Sequence, residues 1–342
     1  MGLGRTRGER IAGWLGAALV LWMLAAVGLA AWDFQDRWVQ PGKPLRTFYR
    51  LWLFWVLPAA PLPLAALLAI AIDPARRWNR WVALAALVPV ALAAWARIVE
   101  PELLRVRETR LTGIPAGAQP VRIALVADLH LGLFGREHHL RRLVGRLNEL
   151  QPDAVLIAGD FTDEPPRDLV RAFAPLSELR MPVFAVRGNH DMEMPGPPLG
   201  RALWDALERN RVQMIEGRSV RWKDWELVGL GDLWGDVPQV QIRRLLQPPH
   251  GPRLVLAHQP DTAHWLPTGS AFLLMAGHTH GGQVKLPVAT EILLRNSTIF
   301  PWWDGLYRTP TVPVFVTPGT GMVWLPLRLG VPPTIDLLVL ER

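Results

Sequence analysis

Seven residues, Asp128, His130, Asp160, Asn189, His258, His278 and His280, are nitrogen or oxygen donors standing at the ends of oily runs. The runs read VRIALVAD, DAVLIAGD, PVFAVRGNHD, PRLVLAH and AFLLMAGHTH. In extended backbone, residues i and i+2 face the same way, so Asp128 with His130, and His278 with His280, can each present two donors to one point. Glycine precedes three of the donors, at Gly159, Gly188 and Gly277, where a missing Cβ permits a sharp exit from a strand close to an ion.

Such a set can hold more than one metal. Without sulfur it suits Mn, Fe, Zn or Co better than Mg or Ca, which prefer oxygen shells. Two divalent ions, offset by two aspartates and a bridging hydroxide, would keep about one positive charge, which fits an anionic phosphate ester. Ions about 3.5–4 Å apart can share that hydroxide and hold the attacking and leaving oxygens of an in-line displacement, so phosphoester hydrolysis is the chemistry expected. His190, beside Asn189, is left without a metal and could protonate the leaving oxygen, with Asp191 orienting its imidazole.

Something must bring these residues together. Short apolar runs alternating with amphipathic stretches from residue 121 onward predict an α/β domain with buried strands, and in open α/β sheets ligands bind beyond the carboxyl ends of the strands. Residues 167–180, RDLVRAFAPLSELR, read as an amphipathic helix on the sheet. His138, His139, His250 and His264 read as surface residues, Gln283 as shaping a turn, and Asp163 as either a helix cap or a group behind the site.

The front of the chain differs. Residues 11–32 hold 22 positions without a charge, enough to cross a hydrocarbon core. Residues 51–72 are equally apolar but carry Pro58, Pro61 and Pro63, which predict a break near the middle, and a third helix is expected near 80–97. The expected layout is therefore a transmembrane region of about three helices at 1–100, a linker at 101–120 and a catalytic domain at 121–342.

Residues 1–110 carry 14 Lys or Arg against 7 Asp or Glu, whereas 111–342 carry 23 against 23. The basic excess flanks the spans, so membrane lipids are the expected partner and no nucleic-acid groove is predicted. Nine of the 17 tryptophans lie in the first 100 residues, including Trp14, Trp32 and Trp95 near span ends, where indoles anchor. With three spans, eight basic residues fall on the catalytic side against six opposite, which leans towards a cytoplasmic domain. The absence of cysteine excludes a disulfide framework and thiolate metal sites.

In that order, DLH, GDFTD, GNHD, AHQP and GHTHGGQ resemble the calcineurin-like metallophosphoesterase superfamily. The form GHTHGGQVKLP, with VGLGDLW before it and GTGMVWLPLRLGVPP after it, is similar to the membrane-associated bacterial branch, over residues 121 to 340. The resemblance implies a four-layer αββα sandwich, with one metal on Asp128, His130, Asp160 and His280 and the other on Asp160, Asn189, His258 and His278. It implies that His190 is the catalytic histidine. Thr334 in PPT departs from the branch, which has an acidic residue there.

An integral protein of the bacterial plasma membrane is the localisation this implies. The activity expected is hydrolysis of a phosphodiester or pyrophosphate in a lipid or lipid-linked substrate. Cleavage of UDP-diacylglucosamine in lipid A synthesis, or a non-catalytic membrane scaffold, are the alternatives.

Overall fold

A computed structural model describes residues 6–37, 44–59, 61–73, 77–135, 137–192, 199–233, 238–246, 251–286, 290 and 302–342. The chain divides into two units, one holding most of residues 1–99 and the other running from Glu100 to Arg342.

The first unit is helical because its sequence offers apolar residues on every face and little else. Helix α1 (Arg7–Phe34) is closed at its start by a capping box, in which Thr6 Oγ1 accepts from the Glu9 amide at 3.2 Å and Glu9 Oε2 accepts from the Thr6 amide at 3.0 Å. Helices α2 (Pro44–Val56) and α3 (Pro61–Ala71) are separated at Leu57–Ala59, beside Pro58. Helix α4 (Arg77–Ala94) follows. Three segments, Arg7–Phe34, Pro44–Ala71 and Trp81–Glu102, are long and apolar enough to cross a membrane. Between the first two, Trp22 Nε1 donates to the Trp55 carbonyl at 2.8 Å and Trp52 Nε1 to the Met23 carbonyl at 3.1 Å.

The second unit contains β1 (Arg105–Leu111), β2 (Val121–Val126), β3 (Leu131–Gly132), β4 (Ala154–Ala158), β5 (Thr162–Asp163), β6 (Val183–Val186), β7 (Gln213–Met214), β8 (Arg218–Trp222), β9 (Trp225–Gly229), β10 (Arg253–Leu256), β11 (Leu273–Ala276), β12 (Gly305–Tyr307), β13 (Val314–Val316) and β14 (Thr334–Leu340). Its helices are α5 (Glu137–Leu150), α6 (Leu169–Ala172), α7 (Gly200–Arg209) and α8 (Pro238–Leu245). Two mixed six-stranded sheets form, in the orders β1-β14-β2-β4-β6-β7 and β12-β13-β11-β10-β9-β8.

The uninterrupted oily runs follow from burial on both faces. Ile123, Leu125 and Leu156 face a core between the sheets, where they meet Leu254, Leu256, Leu273 and Met275. Their neighbours Ala124, Val126, Val155 and Ile157 face the opposite way and are covered by Leu140, Leu143, Val144 and Leu147 of α5 and Leu203 and Leu207 of α7. Beyond the second sheet, Val255 and Leu274 pack on Ile242 of α8 and on Leu246. Helices outside and two sheets inside make an αββα sandwich.

Two expectations need correction. Residues 101–120 do not form a plain linker, because β1 lies among them and pairs in parallel with β14, Arg105 opposite Thr334. Its alternating RVRETRL pattern belongs to an edge strand, a weaker signal than an oily run. Residues 167–180 do not form one helix: α6 is four residues long and passes into a 3₁₀ turn at Ala174–Glu178, where Pro175 cannot supply the amide an α-helix needs.

Leu156 is fully buried between the sheets. Leu156→Ala is therefore expected to cost about 2–5 kcal/mol, read as a lower denaturant midpoint; an unchanged midpoint would contradict a tightly packed intersheet core.

Candidate metal centre

The donors follow the carboxyl ends of five strands: Asp128 and His130 after β2, Asp160 after β4, Asn189 after β6, His258 after β10, and His278 and His280 after β11. Turning sharply off a strand forces unusual backbone. Asp128, His130, Asp160, His278 and His280 have φ of 54°, 43°, 54°, 73° and 52°, the left-handed region that residues with a Cβ avoid. Gly159 shares it at 83°. Gly188 is needed for space, since a Cβ there would overlap the Asp160 carboxylate.

The seven donors gather around Asp160. One donor atom each from Asp128, His130, Asp160 and His280 lies within 4.8 Å of the others, and Asp160, His258 and His278 form a second such group. Asp160 Oδ2 is 3.5 Å from His130 Nε2 and 3.3 Å from His258 Nε2, so one oxygen sits between the groups. Oδ1 of the same carboxylate accepts the His190 amide at 2.9 Å. Asn189 joins through Oδ1, 3.0 Å from His258 Nε2.

Hydrogen bonds behind the rings decide which nitrogens face inward. His258 Nδ1 donates to the Ala158 carbonyl at 2.7 Å and His130 Nδ1 to the Thr162 carbonyl at 3.3 Å, which leaves each Nε2 as a lone pair when the ring is neutral. Each lone pair meets a nitrogen of a second ring: His258 Nε2 faces His278 Nδ1 at 3.1 Å, and His130 Nε2 faces His280 Nε2 at 3.1 Å. Ring nitrogens and carboxylate oxygens that converge this closely in a buried pocket are a donor set that a divalent cation can satisfy. The residues therefore fit divalent metal.

The titration behaviour agrees. Burial pushes His130 down to about 4, His278 down to about 3 and His280 further, keeping these rings neutral and ligand-ready. Burial also pulls on His258, but the Asp160 carboxylate outweighs it and raises that ring to about 10, so a positive charge is wanted at its Nε2. Burial, with a smaller push from the Asp160 charge, raises Asp128 and Asp191 to about 7.

A calcineurin-like phosphoesterase family model matches residues 121–282, which contain all seven donors and His190. The chain carries a calcineurin-like metallophosphoesterase domain. It is 30% identical over 290 residues to the "Transmembrane protein with metallophosphoesterase domain" of Danio rerio, covering 77% of this chain and 63% of the relative. It is 29% identical to "Phosphodiesterase YaeI" of Escherichia coli (70% and 90% covered) and 27% identical to "UDP-2,3-diacylglucosamine pyrophosphatase LpxG" of Chlamydia muridarum (60% and 78% covered). The chain thus spans less than two thirds of the length of the zebrafish protein.

Within the metallophosphoesterase domain, His190 is buried and its ring stands edge-on to His130, with centroids 4.7 Å apart. Asp191, expected to orient that ring, is engaged by the backbone of two turns. Its carboxylate accepts from the amides of Phe161, Thr162 and Gly188 and from the Thr162 hydroxyl, each at 3.0 Å, which pins the turn after β4 to the turn after β6. The carboxylate facing His190 is that of Asp163, 3.9 Å from Nδ1. Asp163 lies in β5 and caps no helix; that work is done by Asp168, which accepts the Arg171 amide.

Arg328 escaped the sequence reading. Fully buried, it donates to the carbonyls of Gly321, Val331 and Pro318, and its charge favours the ionised form of Asp128. A single Arg within the apolar VWLPLRLGVPP is the signal that could have flagged it. His138 and His139 meet Glu102 in a mostly exposed group that also engages Arg142, and His264 stacks on Trp302. His250 lies outside the described residues.

Asp160→Ala is expected to abolish metal binding in both groups, read as metal-to-protein stoichiometry by elemental analysis; retention of a full complement would remove Asp160 from the centre of the site. Asp191→Ala leaves four buried donors without an acceptor and is expected to lower stability by about 3 kcal/mol or more, read in a denaturation series.

Proposed function

We propose that this protein is a membrane-anchored metallophosphoesterase that holds two divalent cations and hydrolyses a phosphodiester or pyrophosphate of a lipid or lipid-linked substrate. The reading rests above all on Asp160 Oδ2, which lies within 3.5 Å of an imidazole nitrogen from each donor group. In this reading Asp128, His130, Asp160 and His280 hold one ion, and Asp160, Asn189, His258 and His278 hold the other. When bound, the ions supply Lewis acidity and activate water to hydroxide near neutral pH.

The chain's own residues do the rest. Carbonyls behind His130 and His258 lock the tautomers that point Nε2 inward. His190, fixed at its amide by Asp160 and facing the Asp163 carboxylate, protonates the departing oxygen or stabilises charge on it. Asp163 lies 3.9 Å from Nδ1 of that ring, and the Asp191 staple keeps both turns in place. The apolar spans and the name of the LpxG relative support a lipid-linked substrate. A cytoplasmic catalytic side, in a bacterial plasma membrane, is the orientation that the basic residues favour.

Turnover of an aryl phosphodiester is expected to vanish on chelation and return on adding Mn, Fe, Zn or Co. His190→Ala should keep the metal and lose about 10²–10⁴ in kcat; a normal rate in that variant would take the acid role away from His190. Incubating the purified protein with a lipid extract and following the phosphorus-containing products tests the substrate class, and an intact extract would sink the lipid reading.

A further inference from the structure

The segment at residues 318–331, PGTGMVWLPLRLGV, is unusual in being rooted in the metal centre while carrying greasy residues outward. At its base, the Gly321 amide donates to the Asp128 carbonyl at 2.6 Å and the Thr320 amide to the Ala127 carbonyl at 3.0 Å. Arg328 gathers the backbone from Pro318 to Val331 around one guanidinium. Gln283, three residues after His280, clasps the far side: its Nε2 donates to the carbonyls of Val323 and Leu325, both at 3.0 Å, and its Oε1 accepts the Val323 amide at 2.9 Å.

At the tip of this clasped loop the side chains turn to solvent. Trp324 is 60% exposed and Leu325 51%, and Leu286, on the segment that pairs with the loop, is 44% exposed. Trp324 has φ of 61°, a strained conformation for a bulky residue, kept where the surroundings enforce it. Lys285 lies beside Leu286, its Nζ 4.9 Å from the centroid of Trp303. Exposed aromatic and aliphatic side chains next to a basic one are the composition of a surface that settles at a lipid interface.

What covers this tip is indicated by where the chain enters the domain. The last apolar segment ends at Glu102 and β1 begins at Arg105. Glu100 accepts the Val331 amide at 2.7 Å, and the Arg105 amide donates to the Pro333 carbonyl at 2.8 Å. Thus Glu100, near the end of that segment, is hydrogen-bonded to the loop that carries Trp324 and Leu325.

We propose that Trp324, Leu325 and Leu286 form an apolar lip that enters the interfacial region of the bilayer. The lip would let a phosphoester at the membrane surface reach the metal centre without leaving the lipid. This deepens the function proposed above, on which it rests, by naming the bilayer surface as the place where substrate is met.

Because the chain has no cysteine, Leu325→Cys supplies a single thiol for an environment-sensitive fluorophore in the full-length protein. Reconstituted in phosphatidylcholine–phosphatidylglycerol nanodiscs, the label at 325 is expected to shift to the blue and to be quenched by nitroxide-bearing lipid. A label at Ser219→Cys, on exposed β8, should stay water-like. Leu286→Cys is a second reporter should the first variant fold poorly. Adding Trp324→Ser to it is expected to weaken its quenching about threefold or more, since a large apolar anchor is lost. Labels at 325 and 286 as water-exposed as the one at 219 overturn the proposal. The readout needs no turnover, so an inactive protein can pass it and an active enzyme can fail it.

Discussion

Imidazole nitrogens, a carboxylate and an amide oxygen converge to about 3 Å of one another in the second unit, and its strand ends are organised around that convergence. His258 Nε2 looks at Asn189 Oδ1, His278 Nδ1 and Asp160 Oδ2 at 3.0–3.3 Å, with its other nitrogen committed to the Ala158 carbonyl. Neutral His130, His278 and His280 add ring nitrogens that divalent cations at this point could share.

Holding that arrangement is costly. Five of the donors sit at positive φ, each at an expense on the order of 1 kcal/mol or more. The strands supply the resistance. Ile123, Leu125, Leu156, Leu254 and Met275 are locked between the sheets while their neighbours are covered from outside, so the strand ends cannot retreat to relieve the turns. Asp191 adds a polar staple, and Arg328 ties the loop behind Asp128. The site is thus rigid because the rigidity comes from two cores and a hydrogen-bonded collar rather than from the donors.

Charge divides the chain by task. Basic excess and tryptophan collect around the apolar helices, where lipid head groups would meet them, while the second unit is nearly balanced overall. Within the second unit, Glu100 and Arg105 hydrogen-bond to Val331 and Pro333, which adjoin the loop behind Asp128.

Much of this was legible in the chain. Residue type and position at the ends of oily runs named the donors, because a strand buried on both faces must be apolar throughout and must stop where polar chemistry starts. Pro58 announced the break between α2 and α3. What the linear order could not decide was which runs share a sheet: β2, β4 and β6 lie in one and β10 and β11 in the other, a matter of long-range packing. Nor could it assign partners. Asp191 adjoins His190 yet serves four donors elsewhere, whereas Asp163, 27 positions earlier, faces the imidazole. Arg328 and β1 were likewise hidden, since a lone cation in an apolar segment and a polar edge strand acquire meaning only from distant neighbours. Composition and period are local properties that sequence carries in full; the direction of a side chain leaving a tight turn depends on the tertiary fold.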